Sequence, residues 1–264
     1  MQMLHLEPLT KKLYKDYLNS NLFNEMSKFS NDFSKSKKSF IYNKFWVKNS
    51  FLHFSRKAEY QFVFEQVEEN KKILDAGCGI TFFPLFLESK FTNINIDLVD
   101  FSNSTEKYYK NTEFNFIKCN LEDLEILDDE YDTVYCISTL EHIENYKKVV
   151  EELHRILKPN GKLVLTFDIS FSKNDNINIY NTKEFIDSII STFQISQTNY
   201  EINIDDLITS HDFQKHELPW VYPKIFYKIY YFLFRKKIIP IWPPKIGIVM
   251  MTIVKQGLEQ PSIK

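Results

Sequence analysis

The sequence predicts an α/β protein built on a doubly wound, mainly parallel sheet of seven strands, of which the last runs antiparallel. The first observation is that short apolar runs, typical of buried strands, alternate with helix-like segments between residues 55 and 170. The second is the length of 264 residues, which suits one large domain with a sizeable core. The third is a composition of 44 % hydrophobic and 26 % charged residues, which is that of a globular protein.

Residues 55–170 carry the alternating elements. Strands are predicted at 71–76, 93–100, 114–119, 131–138 and 161–169, and helices at 55–69, 82–89, 102–110 and 144–157. Pro84 falls in the first turn of the second helix, where its missing N–H group costs nothing. The last helix ends at the breaker cluster Lys-Pro-Asn-Gly, at 158–161. Because strands joined by helices run parallel, we expect ligands to bind at the carboxyl ends of the strands.

The flanking segments predict additions to this main domain, which we place at 55–264. Residues 1–54 contain apolar residues at helical spacing and are predicted to form an N-terminal helical cap. The region after residue 170 predicts three further elements: a helix at 182–193, a strand at 194–202 and the antiparallel last strand at 245–255. Residues 202–245 are predicted to form a lid or insertion that is rich in aromatic side chains.

A glycine-containing turn follows the first strand of the main domain. Only five glycines exist in the chain, and Gly77 and Gly79 stand one residue apart, directly after Asp75. A P-loop needs a Lys that is missing here, and a dinucleotide fingerprint needs glycine where Phe82 stands. An acidic residue beside the turn suits a ligand without a phosphate, such as S-adenosylmethionine (SAM). Asp75 is expected either to order the loop or to reach the ammonium end of that ligand.

Several motifs, taken in order, resemble the class I SAM-dependent methyltransferase family, and the resemblance covers roughly residues 55–170. The motifs are "ILDAGCGIT", "IDLVDFSN", "FIKCNLEDLEILDDEYDTVYC", "CISTLEHIEN" and "ELHRILKPNGKLVLTF". The sequence departs from the family pattern at Thr81, where a glycine is usual, and at Asn120, where an Asp is usual. The resemblance implies a Rossmann-like fold and SAM as the cofactor.

The resemblance also implies which residues contact the cofactor. The set comprises Asp75, Gly77, Cys78, Gly79, Thr81, Asp100, Phe101, Asn120, Leu121 and Ser138. Asp100, which ends the second strand, is expected to accept the ribose hydroxyl groups, although it is also placed to cap the next helix. Arg56 and Tyr60 are four residues apart and share one helix face, so Arg56 is expected to clamp the methionine carboxylate. A surface salt bridge with Glu59 is the alternative.

Methylation of a hydroxyl group also needs a base, because the oxygen loses its proton as the new bond forms. His142, His211 and His216 are the candidates, with Asp212 as an orienting carboxylate. His142 follows the fourth strand, which the resemblance places beside the SAM sulfur. The sequence therefore predicts a methyltransferase that acts on a small molecule, most simply on an oxygen of a sugar, polysaccharide precursor or other metabolite. The alternatives are a small-molecule N-methyltransferase, a phosphate-type O-methyltransferase and a non-catalytic partner subunit of the same fold.

Charge and composition limit the partners and the compartment. The net charge of −2 argues against nucleic acid, and no apolar run approaches the ~18 residues of a membrane-spanning helix. The three separated cysteines predict neither disulfides nor a metal site, so a cytoplasmic protein is expected. The segment 218–258 has no acidic residue and many aromatic and basic ones. We interpret it as a lid and homodimer element that would also suit a phosphorylated or nucleotide-linked acceptor, in preference to a membrane-facing surface.

Overall fold

The computed structural model describes residues 4–35, 51, 53–110, 112–173, 177, 179–195, 200–213 and 245–257. Among these residues, one sheet contains seven strands: β1 (Leu4–Pro8), β2 (Lys72–Ala76), β3 (Asn95–Val99), β4 (Asn115–Ile117), β5 (Tyr131–Ile137), β6 (Leu157–Ser170) and β7 (Ile246–Val254). The helices are α1 (Lys11–Leu18), α2 (Asn21–Lys35), α3 (Phe54–Gln66), α4 (Phe83–Lys90), α5 (Asn103–Tyr109), α6 (Tyr146–Ile156) and α7 (Thr182–Thr192). Most of the predicted lid, including His216, lies outside the described residues.

The strand order β1-β7-β6-β5-β2-β3-β4 confirms the doubly wound sheet. From β2 the chain moves outward through β3 to β4, then returns to the other side of β2 with β5 and continues to β6. These neighbours are parallel, whereas β7 is antiparallel to both β6 and β1. The direction of winding therefore reverses between β2 and β5, and ligands of such sheets bind in the crevice at that point.

The seventh strand lies in a different part of the chain from the one predicted. The sequence predicted a strand at 194–202, but Tyr200–Ile202 is irregular, and residues 196–199 lie outside the described part of the chain. The edge position beside β7 is taken instead by β1, with Leu4 opposite Ile253. Leu4 and Leu6 pack against the core and alternate with polar residues, which is the period-two pattern of a half-buried strand. The prediction of a purely helical N-terminal segment is therefore wrong for these residues, because the alternation is only five residues long.

Apolar side chains fill both faces of the sheet. Helices α1 to α5 pack on one face, and α6 and α7 pack on the other. Aromatic rings are frequent on the first face, where Tyr60 stacks on Phe83 with 4.6 Å between ring centroids. Because α1 and α2 share this core with α3 and the sheet, the N-terminal helices are held against the main domain. The domain boundary at residue 54 stays a prediction.

Candidate cofactor and acceptor site

The glycine turn after β2 adopts a backbone that other residues avoid. Gly77 has φ +78° and Gly79 has φ +51°, both in the left-handed region. A Cβ atom at Gly77 would lie 2.5 Å from Thr139 Cγ2, whereas a Cβ atom at Gly79 would meet nothing within 4 Å. Gly77 is therefore required for close packing against the segment after β5. Gly79 leaves open space at the carboxyl edge of the sheet, where a ligand can approach the backbone.

Asp100 faces this turn from the end of β3. Its Oδ2 atom accepts a hydrogen bond from the Gly79 N–H at 3.0 Å, and its Oδ1 atom accepts one from the Ser102 N–H at 2.7 Å. The cap of α5 is Ser102, whose hydroxyl accepts from the Ser104 N–H, so Asp100 is not the capping residue. A carboxylate has about four lone-pair positions, which leaves two for other donors. The arrangement suits a pair of ligand hydroxyl groups at the glycine turn.

Asp75 is buried beneath the turn and is only 4 % exposed. Burial raises the pKa of Asp75 to about 8; the Tyr135 hydroxyl opposes this shift, and the charge of Asp100 adds to it. The Tyr135 hydroxyl makes no hydrogen bond of ordinary geometry with the described residues, although it lies close enough to influence Asp75. Of the two roles expected for Asp75, burial favours ordering the loop over contact with a ligand.

The other predicted cofactor residues occupy two kinds of environment. Cys78 and Leu121 are buried and belong to the core. Phe101 is 79 % exposed beside Asp100 and offers a free aromatic face at the site. Asn120 is exposed, and its side-chain oxygen already accepts from the Glu122 N–H at 3.2 Å. The remaining one, Thr81, is partly buried, and its hydroxyl accepts from the Phe83 N–H at 3.4 Å.

Arg56 belongs to a buried polar group that joins α3 to the ends of β5 and β6. Its guanidinium contacts Glu59 and donates to the Ser138 hydroxyl at 2.6 Å. Glu59 is fully buried and accepts from the Ser138 and Thr166 hydroxyls, each at 2.6 Å. Although burial alone would lower the pKa of Arg56, the Glu59 carboxylate raises it. The predicted Arg56–Glu59 pair therefore exists, but in the interior and not on the surface.

Two further carboxyl groups extend this polar group, and sequence analysis did not select either of them for the site. Glu141 Oε1 accepts from the Asp168 N–H at 3.1 Å. Glu141 Oε2 and Asp168 Oδ1 are both buried and have no hydrogen-bond partner among the described residues. Burial raises the pKa of Glu141, with the nearby Asp168 adding to the effect. Asp168 lies near the carboxyl end of β6, where ligands of such sheets bind. That position in the sequence could have identified it as a candidate site residue.

The remaining predicted site residues are not all brought together. Tyr60 is 2 % exposed within the stacked aromatic core, which favours a packing role. His142 has an exposed side chain in the single turn Leu140–His142. Partial desolvation of its ring by surrounding atoms, and then the charge of Arg56, lower its pKa. His211 is also exposed, in the turn Ser210–Asp212. The carboxylate proposed to orient it, that of Asp212, binds Thr209 and Lys11.

A protein-family model described as a methyltransferase domain matches residues 74–165. Residues 74–165 therefore match a methyltransferase domain, as the resemblance to class I SAM-dependent methyltransferases implied. The matched region runs from β2 into β6 and contains the glycine turn, Asp100 and the end of β5. The resemblance expected from the motifs is therefore confirmed, together with SAM as the cofactor of this domain family.

Relatives in sequence carry methyltransferase names, and a solved structure shares the fold. The chain is 25 % identical to a sterol 24-C-methyltransferase of Kluyveromyces lactis, over 70 % of the chain and 54 % of that protein. It is 31 % identical to a malonyl-[acyl-carrier protein] O-methyltransferase of Ilyobacter polytropus, over 54 % of each. The fold resembles phosphoethanolamine N-methyltransferase 2 of Haemonchus contortus, solved with SAM, with a TM-score of 0.55 and 15 % identity, over 86 % and 60 % of the two chains.

The coverage of these relatives and their differing acceptors restrict what can be inferred about the reaction of this chain. The chain spans about half the length of the curated relatives it matches. Their names specify carbon 24 of a sterol and an oxygen of malonyl-[acyl-carrier protein], so the acceptor differs from one relative to the next. In the part of the chain that the structure describes, no helix has both the length and the apolar character needed to span a bilayer. The same residues contain no cluster of three His, Cys, Asp or Glu side chains suited to a metal ion.

Proposed function

We propose that the protein transfers a methyl group from SAM to a small-molecule acceptor. The observation that carries this proposal is the glycine turn, with open space at Gly79 and the Asp100 carboxylate facing it. The turn lies where the winding of the sheet reverses, and the domain family that matches it uses SAM. A family match combined with a built, open turn at the expected place is a stronger argument than either alone.

The residues around the glycine turn fit SAM, because the space at Gly79 is open and polar and aromatic groups stand beside it. Asp100 would accept the ribose hydroxyls, and the exposed ring of Phe101 would cover a face of the adenine. Asn120 would meet the adenine amino group with the remaining lone pair of its amide oxygen. The Nε and Nη2 groups of Arg56 make no hydrogen bond to the described residues, and the side chain is 23 % exposed. They would bind the methionine carboxylate.

In the proposed reaction, bound SAM supplies an electrophilic methyl group. The chain's own residues hold the acceptor in line with that methyl group, keep water out and remove a proton where the acceptor carries one. An oxygen of a sugar, polysaccharide precursor or other metabolite is our preferred acceptor. Methylation of a small amine is the second candidate, because the site is rich in carboxyl groups. Carboxyl groups attract the ammonium form of an amine and can take up the proton that it must lose before its nitrogen lone pair reacts.

Calorimetry with S-adenosylhomocysteine tests the cofactor assignment without knowledge of the acceptor. We expect binding in the micromolar range with one ligand per chain. Absence of heat and of any thermal stabilisation at millimolar ligand would contradict the proposed function. Binding without methyl transfer to any acceptor in a broad metabolite screen would favour the non-catalytic partner subunit.

Replacement of Asp100 by alanine is expected to weaken binding of S-adenosylhomocysteine by about 1.5–3 kcal/mol, because hydrogen bonds to a charged group are lost. The melting temperature should change little, since Asp100 is partly exposed at the edge of the sheet. The matched control is Asp128→Ala. Asp128 pairs with Arg155 and lies just before β5 begins, at the edge of the sheet opposite to the proposed site. Equal affinity of Asp100→Ala and the parent would rule out the ribose role.

A further inference from the structure

The buried polar group around Arg56 extends in one direction, towards the end of β6. Thr166 and Asp168 are two residues apart in this strand, so their side chains point to the same face of the sheet. Thr166 donates to Glu59 of α3, which identifies that face as the one covered by the N-terminal helices. Asp168 is therefore the next polar side chain after Thr166 on this face, one step closer to the carboxyl edge where ligands bind.

The carboxyl groups of Glu59, Glu141 and Asp168 differ in how many hydrogen bonds they accept. Both oxygens of Glu59 are used, by Arg56, Ser138 and Thr166. One oxygen of Glu141 is used, by the backbone N–H of Asp168. The Asp168 carboxyl group accepts no hydrogen bond from the described residues, and its Oδ1 atom is buried. A buried acceptor without a donor costs about 1–3 kcal/mol, so an unused carboxyl group in a site requires a functional explanation.

The strand that carries Asp168 is connected to the glycine turn through the segment that follows β5. Ser138 donates its backbone N–H to the Thr166 carbonyl at 2.8 Å, which ties the end of β5 to the strand that carries Asp168. The next residue, Thr139, packs against Gly77: its hydroxyl, which donates to the Ile137 carbonyl at 3.0 Å, also lies 3.4 Å from the Gly77 carbonyl. The segment 138–139 therefore contacts the glycine turn through Thr139 and the polar group through Ser138. We infer that a ligand bound in the turn would have the carboxyl groups of this polar group beyond that segment.

We propose that Asp168 faces the transferred methyl group and accepts the proton of the acceptor; this proposal rests on the proposed function. The lone pair of the acceptor atom forms the new bond to the methyl carbon, and the electron pair of the carbon–sulfur bond stays on sulfur. The proton of the acceptor's O–H or N–H group moves to a carboxylate oxygen of Asp168. The products are the methylated acceptor, the neutral thioether and a protonated Asp168, so charge and atoms balance.

The charges around Asp168 suit this role. Burial and the charge of Glu59 raise the pKa of Asp168 to about 7, and Arg56 opposes the shift. A base with a pKa near the working pH is the most effective proton acceptor. Glu141 is the carboxyl group that faces Asp168 from the turn after β5, and the neighbouring His142 has a lowered pKa. The carboxyl groups of Glu59, Glu141 and Asp168 outnumber the one guanidinium of the polar group. This excess favours a proton-bearing hydroxyl or amine as the acceptor and disfavours an acceptor whose reacting atom is anionic.

The test compares two cofactor analogues in calorimetry, S-adenosylhomocysteine and sinefungin. Sinefungin carries a carbon in place of the sulfonium sulfur and an amine in place of the transferred methyl group, so its ammonium group probes the acceptor side. At pH 8 we expect the parent to bind sinefungin at least about tenfold more tightly than S-adenosylhomocysteine, the scale of a hydrogen bond between charged groups. Asp168→Asn should reduce this preference to less than about twofold and leave S-adenosylhomocysteine affinity unchanged. Asp128→Asn is the matched control and should keep the preference.

The outcomes separate this proposal from the proposed function. Loss of the preference in His142→Ala, with Asp168→Asn unaffected, would overturn the role of Asp168 and leave the methyltransferase proposal standing. Absence of S-adenosylhomocysteine binding by the parent would overturn both. Asp168→Asn is expected to fold, because the raised pKa means that ionised Asp168 destabilises the protein. That destabilisation grows as the pH rises from the unfolded pKa, near ~3.9, through the folded pKa.

A second measurement uses the ligand-free protein. Carboxyl ¹³C nuclear magnetic resonance should show an Asp signal that titrates near pH 7 and is missing from Asp168→Asn. Buried Asp75 titrates in a neighbouring range, so Asp75→Asn provides the assignment of the second signal. A titration of Asp168 near the ordinary value of ~3.9 would show a solvated carboxylate and would overturn the proposal.

Discussion

Replacement of Gly77 by alanine is expected to destabilise the protein by about 2–5 kcal/mol. The left-handed backbone conformation costs about 1–2 kcal/mol for a residue with a Cβ atom. The contact with Thr139 adds about 1–3 kcal/mol, because the new atom would lie 2.5 Å from a methyl group held at the end of β5. Denaturant unfolding of the purified variant measures the sum directly.

Gly79 provides the matched control, since it has the same kind of backbone but open space around it. Gly79→Ala should destabilise the protein by only about 1–2 kcal/mol, the backbone contribution alone. Its larger effect should appear in calorimetry as weaker S-adenosylhomocysteine binding, because the added methyl group enters the space left for the ligand. Equal destabilisation by the two substitutions would contradict the separate roles assigned to these glycines.

Replacement of Glu59 by alanine is expected to destabilise the protein by about 3–5 kcal/mol, since removing one member of a buried ion pair leaves the other charge unpaired. Arg56 would lose its carboxylate, and the hydroxyls of Ser138 and Thr166 would lose their acceptor. The free energy of unfolding at pH 7 is the measurement. We expect S-adenosylhomocysteine binding to weaken as well, because Arg56 would no longer be held at the site.

Glu65, on the same helix, is the control for this substitution. It is exposed, and Glu65→Ala should change the free energy of unfolding by no more than about 0.5 kcal/mol. The double variant Arg56→Met with Glu59→Leu removes both charges, and it should recover part of the stability lost in Glu59→Ala. A Glu59→Ala protein as stable as Glu65→Ala would show that the buried pair has no role in holding the fold.

The features that could be predicted from the sequence are those determined by residues close together in the chain. The apolar run of β2, the two glycines and the acid that ends β3 are each recognisable within about ten residues, and the structure places them together. The end of α6 at Ile156, before the Lys-Pro-Asn-Gly cluster, follows from the same local rules. Strand β1 was missed because five alternating residues resemble the start of an amphipathic helix.

The polar group around Arg56 could not be predicted in this way. Thr166 and Glu59 are 107 residues apart, and Ser138 lies between them in sequence. Nothing near Glu59 in the sequence distinguishes a buried carboxylate from the acidic residues on helix surfaces. The sequence alone therefore leaves a surface salt bridge open as an alternative role for Arg56. Asp168 was missed for the same reason: its role depends on which strand neighbours the glycine turn, and that is a property of the sheet order.

The pairing of β1 with β7 has a consequence for the order in which the chain folds. Every residue of β7 is buried, and the strand is inserted between β6 and β1. In the pairing of β1 with β7, Leu4 lies opposite Ile253, so the two strands come from distant points of the sequence. Contacts at such separation form late, because a long loop must close before they stabilise anything. On the ribosome, β6 therefore keeps an unpaired edge, and β1 has no partner strand, until the segment 246–254 has been synthesised. Exposed strand edges promote aggregation, so we expect the chain to be most prone to aggregation before the segment 246–254 has been synthesised.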